Sequence, residues 1–310
     1  MKKGWLRAVG IVLIMSVCCT WAAAMPRMLI PGGCTMGIKL YSKGVIITGV
    51  MENSAAEEAG LRKGDLILSV DGEAIHTAQG LRTRLDDEVI LTIQRKGKET
   101  KIIAEPDESA DGYALGVYVR DSMAGIGTLT YYDPEGQSFG ALGHGVNDAD
   151  TGLLLPLEAG VAVSSSVAEV KRGEDGVPGE LKGKFNVHDI MGSVDRNTEN
   201  GIFGKLSKSI EGVPIPVAMK GEVRTGTAEI LSNVQGVRVC SYSVEILKVY
   251  SNEDDAGRNL LLRVTDEALL RQTGGIVQGM GVIDNRDNTE KPENTGFFAV
   301  TLSNDPTTGV

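Results

Sequence analysis

One histidine in this sequence stands in a setting suited to proton transfer. His144 lies between Gly143 and Gly145, directly after an apolar run, and Asp148 and Asp150 follow it downstream. A histidine flanked by glycines is exposed and held by little packing, unlike a core histidine, which suits a general acid or base. The chain has only 3 His, and no second ligand accompanies His144 at the spacing of a metal site. His144 is therefore a candidate catalytic residue, and no metal site is predicted.

Other residues that could do chemistry are arranged less favourably. Ser164, Ser165 and Ser166 offer hydroxyl groups, but they are interpreted as strand and turn residues. The 4 Cys include no Cys-x-x-Cys pair, which argues against a zinc site or a thioredoxin-like motif. Cys34 and Cys240 are left as a possible disulfide. Because no dinucleotide-binding glycine motif, P-loop or zincin helix occurs, no cofactor is predicted.

The elements that must position these residues are predicted to be mainly β-strands. Of the 310 residues 40 are Gly, while aromatic residues make up only 5%. Such a composition is typical of many short strands joined by tight turns. The length and the hydrophobic share of 42% suit about two domains with packed cores. The net charge of -10, from 31 basic and 41 acidic residues, argues against binding to nucleic acid.

Residues 1–25 are predicted to be a signal peptide or a membrane anchor. Basic residues at positions 2, 3 and 7 precede an uncharged apolar stretch that ends in alanines. A basic start, an apolar centre and small residues at the end are typical of a cleaved signal. The stretch, at ~18 residues, is also near the lower limit for a membrane span. A buried helix is the structural alternative, and either of the first two readings places the rest of the chain outside the cytoplasm.

Residues 33–106 show the order of elements of a small peptide-binding domain. A strand at 44–51 is followed by a short helix at 54–60, a second strand, an Asp-Gly turn, a helix at 77–85 and a hairpin. This order resembles the PDZ domain in its circularly permuted bacterial form. Three turn residues are interpreted as fold-forming and not as ligand contacts: Gly60, Gly64 and Asp65.

The PDZ resemblance implies where a peptide would bind. PDZ domains add an extended peptide to a sheet edge and hold its terminal carboxylate on the backbone N–H groups of a loop. By resemblance this loop is formed by residues 35–38, and the helix that begins at Thr77 lines the groove. The implied ligand contacts are Met36, Gly37 and Ile38.

Residues 111–310 are predicted to form a second, all-β domain. Short apolar runs alternate there with turn signals, which favours a barrel or a sandwich. Strands are predicted at 125–132, 139–142, 160–170, 201–206, 221–230, 237–249 and 261–264.

Several segments of this chain resemble the SpoIVB-type sporulation serine peptidases. They are Leu-Ile-Pro-Gly-Gly at 29–33, Phe-Gly-Ala-Leu-Gly-His-Gly at 139–145, Thr-Asp at 265–266, Gly-Gly-Ile-Val-Gln-Gly-Met at 274–280 and Asn-Asp-Pro-Thr at 304–307. The resemblance implies a PDZ domain followed by a chymotrypsin-like double β-barrel, with a catalytic triad in the chain order His, Asp, Ser. By motif, His144 is the general base and Asp266 orients it.

The nucleophile is where this sequence departs from the family. The family pattern continues Gly-Met-Ser-Gly-Ser-Pro, whereas here Gly281 stands at the first Ser position and residues 284–295 are polar, as in a loop. The C-terminal end of the domain is atypical and short. Glycine has no hydroxyl that could attack a carbonyl carbon. An inactive relative, a local error in the sequence and replacement by Ser303 all remain open.

Two functions of different class follow from these features. The first is an exported serine endopeptidase that cleaves a membrane-associated regulatory protein and so triggers sigma-factor activation during sporulation, in the space between forespore and mother cell. The second is a catalytically inactive binding protein that keeps the PDZ groove. In both cases the expected partner is a peptide or protein segment, and the membrane is contacted by the N-terminal segment if it is uncleaved.

Overall fold

The computed structural model describes residues 28–110, 112–174, 179–218, 221–234, 236–250, 260–278, 282–285 and 296–298. These ranges are mainly β. The predicted signal or anchor at 1–25 lies outside them, and no helix within them has the length and apolar character that a membrane crossing needs. The strands are β1 Met28–Pro31, β2 Thr35–Val50, β3 Leu66–Val70, β4 Glu73–Ala74, β5 Val89–Arg95, β6 Lys98–Ala104, β7 Asp107–Ser109, β8 Gly112–Ala114, β9 Val117–Asp133, β10 Ser138–Ala141, β11 Leu157–Lys171, β12 Gly179–Thr198, β13 Gly201–Leu206, β14 Ile215–Pro216, β15 Gly226–Ser232, β16 Cys240–Val249, β17 Leu260–Val264, β18 Val277–Gln278, β19 Val282–Asn285 and β20 Gly296–Phe298. The helices are α1 Ala55–Glu58, α2 Ala78–Arg82 and α3 Glu267–Thr273.

Six antiparallel strands close into a ring. β9 pairs with β10, β10 with β13, β13 with β12, β12 with β11 and β11 with β2, and β2 pairs again with β9. Its interior is filled by large apolar side chains, because inward positions alternate along each strand. Fully buried members of this core include Met36, Leu40, Leu129, Tyr132 and Phe139.

A smaller module is built on the ends of two strands of this ring. Ile46 to Val50 of β2 pair with Val117 to Arg120 of β9, and β3, β5 and β6 continue the sheet beyond β2. Helices α1 and α2 begin at Ser54 and Thr77, whose side-chain oxygens accept hydrogen bonds from backbone N–H groups of the first turn. A separate hydrophobic cluster forms its core, with Ile47, Ile67, Leu81, Leu91 and Leu115 among its members.

The remaining described strands form a second sheet beside the ring. Its order is β17-β16-β15-β19-β20, and its core includes Ile230, Val244 and Leu269. In the ranges that the structure describes this sheet is an open path of strands. The mainly β class is confirmed, whereas the double β-barrel is not: one ring closes and the second sheet does not.

A buried asparagine joins this second sheet to the ring. Asn233, directly after β15, accepts a hydrogen bond from Thr35 N at 2.8 Å. Its amide group donates to Thr35 Oγ1 at 3.1 Å and to Gly236 O at 2.9 Å. Both Asn233 (1% exposed) and Thr35 (7%) are removed from solvent, so these bonds have no ready replacement by water.

Asn233→Ala is expected to destabilise the protein by about 2–3 kcal/mol, because it leaves the buried Thr35 N–H without a partner. Urea unfolding followed by circular dichroism measures this loss. Asn186→Ala, at an exposed position with one local hydrogen bond, is the matched control and is expected to change stability by less than about 0.5 kcal/mol. Equal effects of the two substitutions would contradict the role of Asn233.

The predicted elements need three corrections. β12, the longest strand, was not predicted, and α2 ends at Arg82 and not at Leu85. Residues 284 and 285 belong to β19, which pairs with β15, although a loop was expected there.

Cys34 and Cys240, left open as a disulfide, are free thiols. The predicted domain limits 33–106 and 111–310 stay predictions, but Leu115 and Val117 pack in the cluster of the small module.

Candidate functional site

His144 lies on a loop that leaves the ring at the end of β10. The residues before it, Leu142 (φ 69°) and Gly143 (φ 72°), both have left-handed backbone conformations. A branched residue rarely adopts this conformation, and such strain is concentrated at functional sites. The imidazole is exposed, with Nδ1 2.9 Å from Gly145 O. The prediction of an accessible His144 on a glycine-flanked loop is therefore confirmed.

The barrel side of this loop is fastened by Asn197 of β12. Asn197 Oδ1 accepts from Val146 N at 2.9 Å, and its amide group donates to Val146 O at 2.9 Å and Leu155 O at 3.0 Å. Gly145 packs closely here, since a Cβ on it would lie 2.7 Å from Thr198 O. Because Val146 and Leu155 bond to one side chain, the path of the segment that directly follows His144 is well defined.

The opposite side of the loop is fastened by Arg120 of β9. Its guanidinium donates to the carboxylates of Asp148, whose side chain is buried, and of Asp150, which is exposed. Asp148 also accepts from Thr151 N at 2.7 Å and Thr151 Oγ1 at 2.9 Å. Burial alone would raise the pKa of Asp148, but the Thr151 hydrogen bonds and the Arg120 charge together lower it below its usual value. Asp148 is therefore an anion at neutral pH and holds the turn that follows His144.

Asp266, the predicted partner of His144, has another role in this structure. It is the N-cap of α3, and its carboxylate accepts a hydrogen bond from Leu269 N at 2.8 Å. No hydrogen bond or ion pair among the described residues joins it to His144. In this structure the Asp266 carboxylate is engaged by its own helix, and its pairing with His144 stays a prediction. Their catalytic roles stay predictions.

Gly281 and Ser303 lie outside the described residues, but the segment that leads to Gly281 is placed. β18 pairs in parallel with Gly179 and Glu180 at the start of β12, and Gly173 N donates to Thr273 O at 2.9 Å. The ring therefore holds the chain just ahead of the position where a nucleophile is expected. Ser164, Ser165 and Ser166 lie within β11, as predicted for strand residues.

The predicted peptide contacts Met36, Gly37 and Ile38 do not form a loop. They lie within β2, paired with β11 on one edge and with β9 on the other. All three are buried, with Met36 at 1% exposure. Since both edges are occupied, no backbone N–H group there is free to hold a carboxylate. The assignment of these residues as ligand contacts is wrong.

The small module has an open strand edge elsewhere. Val117 to Arg120 of β9 pair with β2 on one side only, and Asp121 follows at an irregularity of this pairing. No strand in the described ranges pairs with the other side of residues 117–121. Helix α2 lies beside it, since Ala78 N donates to Asp121 Oδ2 at 2.9 Å. Gly116 (φ +73°) turns the chain into this edge. A loop, an open edge and a flanking helix are the parts that strand addition requires.

Gly116→Ala is expected to destabilise the small module by about 2 kcal/mol or more, because an L-residue is strained at this φ and packing must also yield. The new Cβ would lie 2.3 Å from Ser54 Cβ. Hydrogen exchange of amides in 44–121 measures the loss. Gly125→Ala, on β9 with open space around its Cβ position, is the control, and equal protection in both variants would contradict the packing argument.

Sequence reasoning missed the residues that surround the two sites. Leu115 and Gly116, an apolar-Gly pair just before a strand, are a sequence signal for the loop at this edge, but they lie beyond the predicted domain limit at 106. Arg120 and Asn197 carried none, since their partners are distant in sequence. No cluster of three or more His, Cys, Asp or Glu side chains in the described ranges could hold a metal ion.

Comparison with known proteins relates the chain to two families. The model of the SpoIVB peptidase S55 family matches residues 111–286, more than half of the chain, and a PDZ domain model matches residues 46–95. The first match includes His144, Asp266 and Gly281. Among curated proteins, the chain is similar to "Putative zinc metalloprotease Atu1380" of Agrobacterium fabrum, with 30% identity over 208 residues that make up 66% of this chain and 46% of that protein. The chain thus spans about half the length of this relative.

Proposed function

The chain belongs to the SpoIVB peptidase S55 family and carries a PDZ domain, and from this premise we propose that it works outside the cytoplasm by capturing an extended segment of a membrane-associated regulatory protein. The observation that carries the proposal is the open edge of β9 from Val117 to Asp121, beside α2. The captured segment lies next to the ring that presents His144, because β9 belongs to both.

Strand addition at this edge has a direct physical basis. An unpaired edge presents N–H and C=O groups whose hydrogen bonds a peptide backbone can complete. Beneath the edge, Leu81 of α2 and Leu115 before β9 are buried in the core of the small module. We expect a ligand with an apolar last residue and a free carboxylate, the latter bound near Gly116.

The chemistry of the second domain is of the peptidase type. His144 is exposed on a loop that is held on both sides, which suits a general base. With Gly281 at the expected serine position, the chain retains the open edge proposed for peptide capture and lacks the attacking hydroxyl. A non-catalytic binding role is therefore favoured, and an active serine endopeptidase is the second candidate, supported by the family match across His144.

The cellular setting follows from the same membership. We propose that the protein acts between forespore and mother cell, where its partner controls intramembrane proteolysis and the activation of a late sigma factor. In a spore-forming host, deletion of residues 115–121 should then stop processing of the regulator. Unchanged processing would contradict this setting.

A titration identifies the groove. An octapeptide ending in Val-Val with a free carboxylate is expected to shift the amide signals of residues 115–121 and of α2 in the ¹⁵N-labelled protein. The same peptide with an amidated end is the control and should bind more weakly, because the N–H groups at Gly116 lose a charged acceptor. Shifts confined to Met36, Gly37 and Ile38, or to the opposite face of the domain, would contradict the assignment.

A further inference from the structure

One strand, β9, is shared by the ring and the small module, which contains the residues 46–95 matched by the PDZ model and is called the PDZ domain below. The first part of β9, Val117 to Asp121, is the open edge of this domain. Its later part pairs inside the ring with β2 and β10. Val117 and Val119 pack with the PDZ core. Side chains alternate along a strand, so Tyr118 (63% exposed) and Arg120 point to the other face. Arg120 is thus on the groove edge but directed away from the PDZ core.

The side chain of Arg120 extends to the loop that carries His144. Its guanidinium reaches Asp148 and Asp150 together, and a planar fork bound at two points allows little rotation. The buried Asp148 carboxylate also organises its own turn through Thr151. A movement of the β9 backbone at residue 120 therefore moves this turn.

A second contact brings the same loop to the PDZ domain. A Cβ at Gly64 would lie 3.2 Å from Leu153 Cδ1. Asn197 fastens the loop to the ring, so the loop is held between the ring on one side and the PDZ domain on the other. His144 lies two residues before Val146, the first of these attachments.

We propose that Arg120 is a positioning residue that couples peptide binding at the open edge of β9 to the placement of His144. This rests on peptide capture by the PDZ edge as proposed above. An added strand fixes the backbone of residues 117–121, and the Arg120 fork transfers that fixation to Asp148 and the His144 loop. Because coupling between two sites is reciprocal, the loop also changes the affinity of the edge for its ligand.

The three histidines allow a direct test. His76 precedes α2 at the groove, His144 is on the loop, and His188 is on an exposed part of β12. In the full chain, the Val-Val octapeptide is expected to shift the ring Cε1–H signals of His76 and His144 and to leave His188 unchanged. Arg120→Gln should keep the His76 shift and abolish the His144 shift.

Arg263→Gln is the matched control. It removes the same charge from an exposed ion pair with Glu245 in the second sheet, and it should behave as the unmodified protein. An undiminished His144 shift in Arg120→Gln, or a His76 shift without any His144 shift in the unmodified protein, overturns the coupling and leaves peptide capture intact.

If the peptide shifts no histidine signal, peptide capture itself is contradicted. In that case a measurement without ligand tests the coupling between the β9 edge and the His144 loop. By reciprocity, Asp148→Asn and Asp150→Asn should raise hydrogen exchange at residues 118–121 by about fivefold or more, the lower range of typical couplings. Glu245→Gln is the control. If Asp148→Asn does not fold, Asp150→Asn carries the test, since Asp150 is exposed. Unchanged exchange at this edge overturns the proposal.

Discussion

The purified protein is expected to show no serine-peptidase turnover and no labelling by a fluorophosphonate. His144 can accept a proton, but Gly281, at the position of the family's nucleophile, has no hydroxyl to give one. Removal of one triad member from a well-built site leaves only ~10³–10⁴-fold catalysis over water. The Ser-Gly-Ser-Pro turn that would supply oxyanion donors is also missing here. Asp266 is engaged as a helix cap, so the loss should be complete.

Substitutions make this result specific. Gly281→Ser alone is expected to leave the protein unlabelled, because the residues after it, Val282 to Asp284, lack the Gly-containing turn and continue as β19. Replacing 281–284 by Ser-Gly-Ser-Pro is the variant that could restore labelling. Labelling of the unmodified protein that His144→Ala abolishes would contradict the prediction, and Ser303→Ala would then be the first variant to examine.

Local chemistry explains which elements could be predicted. Ser54 and Thr77 cap helices, and Lys96-Gly97 adopts positive φ in the hairpin between β5 and β6, as their residue types indicate. The exposure of His144 follows from its flanking glycines. Each of these features depends on interactions within a few residues, which a sequence displays directly.

Non-local pairing explains what could not be predicted. The PDZ resemblance implies a loop at residues 36–38, but pairing with β9 and β11 extends β2 through them. Strand propensity depends on such neighbours more than on the residues themselves. The PDZ edge is completed by residues 115–121 for the same reason. The partners of Arg120 and Asn197 are distant in sequence, and pairing within the ring brings them near.

The second large effect is expected from Asp65→Asn. Asp65 is 1% exposed, and its carboxylate accepts from Arg95 Nε and Nη2, both at 2.6 Å, and from Arg62 N at 2.8 Å. The hydrogen bond to Asp65 raises the pKa of Arg95 above its ordinary value, so the Arg95 guanidinium keeps its charge. Gly60 (φ +75°) and Gly64 (φ +89°) shape the turn in which this bond forms, in agreement with their fold-forming interpretation.

Loss of the Asp65 charge should cost about 2–3 kcal/mol, since it turns two charge-assisted hydrogen bonds to a buried carboxylate into weaker ones and places an amide N–H₂ against an N–H donor. Arg95 itself is 31% exposed and keeps Gly60 O as an acceptor. Urea unfolding and hydrogen exchange across 44–121 measure this cost. Glu73→Gln, the same change in the exposed ion pair with Arg84, should cost less than about 1 kcal/mol. The turn that Asp65 holds brings Gly64 against Leu153 of the His144 loop, so Asp65→Asn should also raise exchange in residues 146–155. Exchange that rises in the PDZ domain alone would show that this contact does not connect the two domains.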